Sequence, residues 1–338
     1  MGRVEVVVER FESAVLKGNP AGDPHVRRLP VVLPPSYADS RRRFPVVYLL
    51  TGFMGRGRMM LNDTAWAESI DERFERLIAA GCEEMILVLP DGFTRFGGSQ
   101  YVNSTATGRY EDHLIQELVP WIDSKYRTLP SRDHRGVAGK SSGGYGALIQ
   151  GMRHPETFGA VASHSGDVYF EYCYRMDVPR FAAAIVGAGG VLPWLEAFEA
   201  KRQKKHEDFT VLNILAMAAS YSPDPSSPDL GIALPCDPAT GEFREAVWTR
   251  WLEHDPWRLA ERHADALRSL RLLYLDCGTR DEFHLHLGAR LLTRRLRELG
   301  VRYEHQEFDD GHMNVTYRYD VSLPMLGRAL AASATVRS

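Results

Sequence analysis

The sequence predicts an α/β fold: a mostly parallel central sheet with helices on both faces and an inserted lid. Three observations carry this prediction. Runs such as Val46–Leu50 and Met85–Leu89 are apolar at every position, as strands buried on both faces are. Segments with helical spacing alternate with these runs, the pattern of units that build a parallel sheet. The alternation breaks off near residue 168 and resumes near 268. The core is therefore read as 1–167 plus 268–330, with 168–267 as the inserted lid and 331–338 as a frayed tail.

Each element follows from local pattern. Val4 to Phe11 alternates Val with Glu or Arg, a strand with one wet face. Gly18 to Pro24 is dense in turn residues, and Val26 to Leu33 is a second strand, ended by Pro34-Pro35. Phe44–Leu50 runs into the glycine-rich loop Thr51-Gly52-Phe53-Met54-Gly55. A helix is expected from Trp66 to Ala80, a strand over Met85–Leu89, and a polar, aromatic loop from Pro90 to Asn103. Leu114, Leu118, Trp121 and Ile122 give Glu111 to Lys125 helical spacing. Asp133 to Ala138 reads as extended, Tyr145 to Arg153 as a helix, and Phe158 to Ser163 as a strand. The inserted region holds helices, a basic run (Lys201, Arg202, Lys204, Lys205) read as a solvated helix face, and a Pro/Ser/Asp tract at Ser222–Asp229. The sheet resumes with Leu270–Asp276, a helix over Leu285–Leu299, and a strand over Val301–Phe308.

Global composition excludes several classes of function. The chain has 338 residues, 44% hydrophobic and 25% charged, with a net charge of −3. Such a balance recruits neither nucleic acid nor an anionic membrane surface. No segment approaches the roughly 18 unbroken apolar residues of a membrane span, and the N-terminus lacks the apolar core of a secretion signal. Cys82, Cys173, Cys236 and Cys277 are scattered, without a Cys-x-x-Cys pair. Reduced thiols in a cytoplasmic protein are the expectation.

Gly139-Lys140-Ser141-Ser142-Gly143-Gly144 contains a Gly-x-Ser-x-Gly between an extended run and a helix. A strand that turns sharply into a helix leaves its corner residue exposed, with glycines at −2 and +2 to avoid collision. Only Ser141 has both glycines, which makes it the candidate nucleophile. Gly139-Lys140-Ser141 is also the tail of a phosphate-binding loop, but the glycine required five positions before the Gly-Lys pair is His134. The plainer alternative is a glycine-rich turn that lets a helix pack close to a strand.

A serine hydroxyl needs a base, and the base needs an orienting acid. Past the strand ending at Asp276 lies Cys277-Gly278-Thr279-Arg280-Asp281-Glu282. Asp281 is the candidate acid, ahead of Asp276 and Glu282; its alternative role is a helix N-cap. His312, in the polar turn after the last strand, is the candidate base. His164, at the end of the strand after the elbow, is expected to line the pocket. A metal site from His284, His286 and His305 is disfavoured, because i, i+2 spacing at a helix start splits the first pair between faces. The backbone N–H groups of Ser142 and Phe53 are the expected oxyanion donors, with Gly52 keeping bulk away. Arg95 and Tyr101 in the 90–103 loop, and Trp257 among the aromatic residues of the insertion (Tyr169, Phe170, Tyr172, Tyr174, Trp194, Trp248, Trp251), are further candidates for substrate contact. The alternative for those aromatics is a small core within the insertion.

These stretches together resemble the esterase D-type branch of the α/β-hydrolases. Gly18-Asn19-Pro20 with Gly22-Asp23-Pro24 and Leu33-Pro34-Pro35-Ser36-Tyr37 is similar to the leader of its enterochelin-esterase-like members. Pro45 to Leu50 with Gly52 is similar to the strand feeding the oxyanion loop, and Gly139 to Gly144 to the elbow with its double glycine. Cys277-Gly278 before Asp281, and Gly311-His312, are similar to the acid and base loops. Thr51 departs from the His or Asp often found before the oxyanion-loop glycine. The resemblance implies an α/β-hydrolase fold and hydrolysis of a small-molecule carboxylic ester through Ser141, Asp281 and His312. It implies no cofactor and no metal, no nucleic-acid or membrane partner, and leaves a homo-oligomer open. Acyl transfer to an alcohol and thioester hydrolysis use the same machinery. The alternative of another class is a catalytically silent binding protein on the same scaffold.

Overall fold

The computed structural model describes residues 3–228 and 230–331. Ten strands form: β1 (Glu5–Glu12), β2 (Val26–Leu33), β3 (Val46–Leu50), β4 (Ile86–Val88), β5 (Asn103–Ser104), β6 (Gly108–Arg109), β7 (Arg135–Lys140), β8 (Ala160–His164), β9 (Leu272–Gly278) and β10 (Glu304–Phe308). Eight of them make one sheet in the order β1-β2-β4-β3-β7-β8-β9-β10; β5 and β6 pair separately. β1, β2 and β4 pair antiparallel, and the run from β4 to β10 is parallel throughout.

Side-chain alternation explains why the inner strands are apolar at every position. Val46, Tyr48 and Leu50 join the core on one face of the sheet, while Val47 and Leu49 join that on the other. Helices α1 (Ile70–Ala79), α2 (Tyr110–Asp112), α3 (Val119–Lys125) and α4 (Ser142–Arg153) link the strands up to β8. Ser69 caps α1 through a reciprocal bond with Glu72, so α1 starts at Ile70 and leaves Trp66 outside. A π-helical segment, His113–Leu118, joins α2 to α3. Arg132–His134 forms a 3₁₀ turn rather than extended chain, and β7 begins only at Arg135.

Between β8 and β9 lie α5 (Phe170–Cys173), α6 (Val178–Ala188), α7 (Val191–Ala200), α8 (His206–Tyr221), α9 (Glu245–Leu252), α10 (Pro256–Arg262) and α11 (Ala264–Arg268). The basic run 201–205 is the link between α7 and α8, not a helix face, and Lys201 pairs with Asp208 at 2.5 Å. The aromatic side chains of this region mostly pack on each other. Trp251 lies against Trp248, Tyr221 and Tyr174 at 5.5, 5.9 and 6.2 Å, and Phe170 and Tyr221 continue the cluster onto Tyr145 of α4. The region is thereby seated on the helix that starts at the elbow. After β9 come α12 (Leu285–Glu298) and α13 (Tyr319–Ala331). Tyr319, Leu323, Leu326 and Leu330 of α13 share a core with Phe74 and Leu77 of α1. Ala331 closes α13, and the rest of the expected tail lies outside the described residues.

The path of the chain creates one topological switch. From β3 it moves outward to β4, returns to β7 on the other side of β3, and continues through β8 to β10. A crevice opens beyond the carboxyl ends of β3 and β7, where open α/β sheets bind ligands.

Trp251 is fully buried and donates from Nε1 to Ser222 Oγ at 2.8 Å, while Trp66 is 98% exposed. Trp251→Ala is expected to cost about 3–5 kcal/mol, and Trp66→Ala less than about 0.5 kcal/mol, measured by chemical denaturation.

Candidate active site

The pairing register places the first parts of the site. Leu50 of β3 lies opposite Gly139 of β7, so the two strands deliver Gly52 and Ser141 side by side. A Cβ on Gly52 would meet Ser141 Cβ at 3.1 Å, and one on Gly143 would sit 2.1 Å from the Leu50 carbonyl oxygen. A Cβ on Gly139 would lie 2.4 Å from the backbone of Gly143. Both flanking glycines are therefore sterically required. Ser141 has φ +58° and ψ −125°, a conformation that costs a non-glycine residue free energy and persists only where its surroundings enforce it. Its N–H donates to the His164 carbonyl at 2.9 Å, and its own carbonyl accepts from Tyr145.

Ser142 is the first residue of α4, so its N–H has no partner within the helix. Across the crevice, the amides of Met54 and Gly55 are engaged by the carbonyls of Gly97 and Gly52. Phe53 lies between Gly52 and Met54 at the same crevice.

The acid and base loops follow β9 and β10, which pair in parallel with Gly278 opposite Phe308. Backbone bonds from Thr279 to Phe308 and from Arg280 to Asp310 bind the two loops together. Asp281 is engaged on both carboxylate oxygens, although the cap position of α12 belongs to His284. Asp281 Oδ1 accepts from the Phe283 and Leu285 amides at the start of α12, while Oδ2 meets His312 Nδ1 at 2.7 Å. The carboxyl is 2% exposed. Desolvation pushes its pKa up, but the hydrogen bond and charge of His312 and the two amides outweigh this and hold it below the usual carboxylate range. Glu282 accepts from the His312 backbone amide at 2.6 Å, and the Phe283 ring stands edge-on to the imidazole at 4.8 Å. The base is thus held at backbone and ring alike.

Ser141, His312, Gly52, Phe53 and Ser142 line one cavity of about 150 Å³, together with Lys140, Asp167, Tyr174 and Asn213. Burial lowers the pKa of Lys140, while Asp281, Asp167 and Glu282 act against it. This cavity shares Cys173, Phe283 and Met313 with an outer groove of about 500 Å³ lined also by Tyr172, Met176 and His284.

Other expected contacts lie elsewhere. Tyr101 is buried behind the oxyanion loop, where its hydroxyl donates to the Thr51 carbonyl at 2.9 Å. It braces that loop and is not among the residues that line the cavity. Arg95 is held by Glu199 of α7 in a two-pronged ion pair. Trp257 packs edge-on against Tyr169 and beneath Arg295. His164 points away from the cavity: its Nδ1 meets Asp276 and its Nε2 meets Ser322, both at 2.8 Å. Asp276, ranked second as the acid, is buried among His164, Arg318 and Tyr274. Of the aromatic residues in the insertion, Tyr174 reaches the inner cavity and Tyr172 the outer groove. Asp167 and Asn213 went unnoticed in the sequence. Asp167 sits just past the end of β8, the one signal that marked it.

Residues 24–322 match the family model described as Putative esterase. The esterase Rv1288 of Mycobacterium tuberculosis is 32% identical over 184 residues, covering 54% of this chain and 37% of that protein. The chain thus spans little more than a third of that curated relative. Among solved structures, a ferulic acid esterase superposes with a TM-score of 0.63 at 23% identity, over 97% of this chain and all of the other. The Staphylococcus aureus fluorophosphonate-binding serine hydrolase F gives 0.62 at 14% identity, over 96% and 99%. At these identities the structural likeness carries the α/β-hydrolase fold.

Two outcomes follow from the geometry. Gly143→Ala drives a Cβ into the Leu50 carbonyl and is expected to destabilise the protein by about 1–3 kcal/mol, read as a lowered denaturation midpoint. Because the Asp281 pKa is depressed on folding, its contribution is present above about pH 4 and is lost as the pH falls through the folded value. The stability gap between wild type and Asp281→Asn, from denaturant titrations across pH, is expected to narrow below about pH 4.

Proposed function

Since the chain belongs to the Putative esterase family, we propose that it is a carboxylic-ester hydrolase working through an acyl-enzyme on Ser141. One observation carries this reading. A serine in a strained elbow and a histidine hydrogen-bonded to a buried aspartate come from three strand ends, and the serine and the histidine line a single cavity.

In this mechanism Ser141 Oγ attacks the ester carbonyl carbon while His312 Nε2 takes the hydroxyl proton. Asp281 Oδ2 accepts from Nδ1–H, which fixes the tautomer with Nε2 as the base and stabilises the imidazolium. The Ser142 and Phe53 amides receive the oxyanion, a contribution of about 3 kcal/mol per donor to the transition state. His312 returns the proton to the leaving alcohol, and the same histidine then activates water against the acyl-enzyme. Burial of Asp281 against His312 strengthens the charge interaction between them. The relatives named for ferulic acid and fluorophosphonate support a small-molecule ester as substrate and a reactive serine as the nucleophile.

A fluorophosphonate probe is expected to label the wild type and not Ser141→Ala. The same substitution is expected to lower kcat/KM for a short-chain nitrophenyl ester by about 10⁴-fold or more. Wild type that neither takes the label nor releases nitrophenol would sink the proposal.

A further inference from the structure

The catalytic cavity contains a buried carboxyl that the mechanism above does not use. Asp167 is 6% exposed and lines the cavity beside Ser141, Ser142 and His312. Three donors converge on its Oδ2: the Tyr174 hydroxyl at 2.6 Å, Gln100 Nε2 at 3.2 Å and the Ser142 hydroxyl at 3.3 Å. Gln100 is itself fixed by the hydroxyls of Tyr174 and Tyr221 at 3.1 and 2.9 Å. No donor among the described residues meets Oδ1, which is left to the cavity. Three neighbours hold the carboxyl by its other oxygen, which leaves this atom for a partner in the cavity that Asp167 lines.

The layout tells which half of an ester lies against Asp167. The leaving oxygen takes its proton from His312, so the alcohol departs on the side of His312, Phe283 and Met313. Phe283 and Met313 are, with Cys173, the residues the inner cavity shares with the large outer groove. The rest of the wall, with Ser142, Asp167, Tyr174 and Asn213, is left for the acyl group. At about 150 Å³ the inner cavity matches in size a cavity that takes up a benzene-sized group, which suits a short acyl chain. Ser142 follows the nucleophile directly, and its hydroxyl touches Asp167, so the substituent nearest Oδ1 is on the carbon next to the carbonyl.

The charge balance selects the substituent. A second carboxylate would meet Asp167, and an ammonium would meet Lys140 in the same cavity. Burial raises the Asp167 pKa against the pull of its donors, so a partner that pairs with either protonation state is favoured. A hydroxyl donates to the carboxylate and accepts from the acid. Resting on the serine-esterase reading, we propose that the inner cavity is an acyl site for short 2-hydroxyacyl esters, with Asp167 recognising the hydroxyl.

The test compares 4-nitrophenyl esters of 2-hydroxypropanoate, 2-fluoropropanoate and propanoate. Each kcat/KM is divided by the same ester's hydroxide-catalysed rate, which removes the inductive effect of the substituent. Wild type is expected to favour the hydroxy ester over both others by at least about tenfold. The preference is expected to fall in the isosteric Asp167→Asn and to vanish in Asp167→Leu. The readout is a ratio within one protein, so a general loss of activity or folded fraction cancels. An active wild type with a ratio near one overturns the inference and leaves the esterase reading standing, as does a preference that survives unchanged in Asp167→Asn. Wild type inactive on all three esters and unlabelled by fluorophosphonate overturns both.

Discussion

The whole site depends on how closely the start of α4 approaches the end of β3. Gly143 comes so near that even one methyl group would sit 2.1 Å from the Leu50 carbonyl oxygen. That contact tips the helix N-terminus over the strand and holds Ser141 in its strained corner. It also brings Gly52 against Ser141, so that backbone from two strands meets at one point. Bulk at 52, 139 or 143 would lever the helix off the sheet and separate the Phe53 and Ser142 backbone from Ser141. The glycines are needed for what they omit.

Rigidity on the opposite side comes from sharing. One Asp281 oxygen accepts from amides at the start of α12 while the other receives the imidazole, so the helix fixes Asp281 and Asp281 fixes His312. Glu282 holds the His312 backbone, and backbone bonds join the two loops to each other. A hydrogen-bonding group that is already oriented before the substrate arrives needs no reorganisation during the reaction. The aromatic cluster of Phe170, Tyr221 and Trp251 extends this to the region between β8 and β9, tying it to Tyr145 one turn past the elbow.

Features written in adjacent residues were legible in the sequence. The apolar runs announced the inner strands; Ser141 stood out by its two flanking glycines, and Asp281 and His312 because each follows an expected strand by a short turn. Features that depend on distant residues were not. Tyr101 lies in a loop that opens beside the elbow, yet it turns inward to Thr51, a partner fifty positions away. His164 ends a strand, as pocket residues do, but its ring turns to the other face, toward Ser322 in α13. That helix itself went unassigned, with Pro324 in its interior, a residue that usually ends a helical pattern. Asp167 carried no motif, because its character comes from Gln100, Tyr174 and Ser142 closing around it.

A second serine–histidine–aspartate series shows what separates a site from its ingredients. Ser322, His164 and Asp276 are hydrogen-bonded in order at 2.8 Å per link, the same residue types as the active-site candidates. All three are 2% exposed or less, and Asp276 also holds Arg318 and Tyr274. Ser322 lies inside a helix, packed against the sheet, so no carbonyl carbon can approach its oxygen. A serine in a helix interior also lacks the cluster of free amides that a helix start provides. Here the series is a brace: it ties α13 to the strand ends of β8 and β9, and the His164 carbonyl in turn receives the Ser141 amide. Three residue types in hydrogen-bonded order do not suffice for acyl chemistry. The elbow adds access to a cavity and unpaired amides beside the hydroxyl, and those are backbone properties set by glycine.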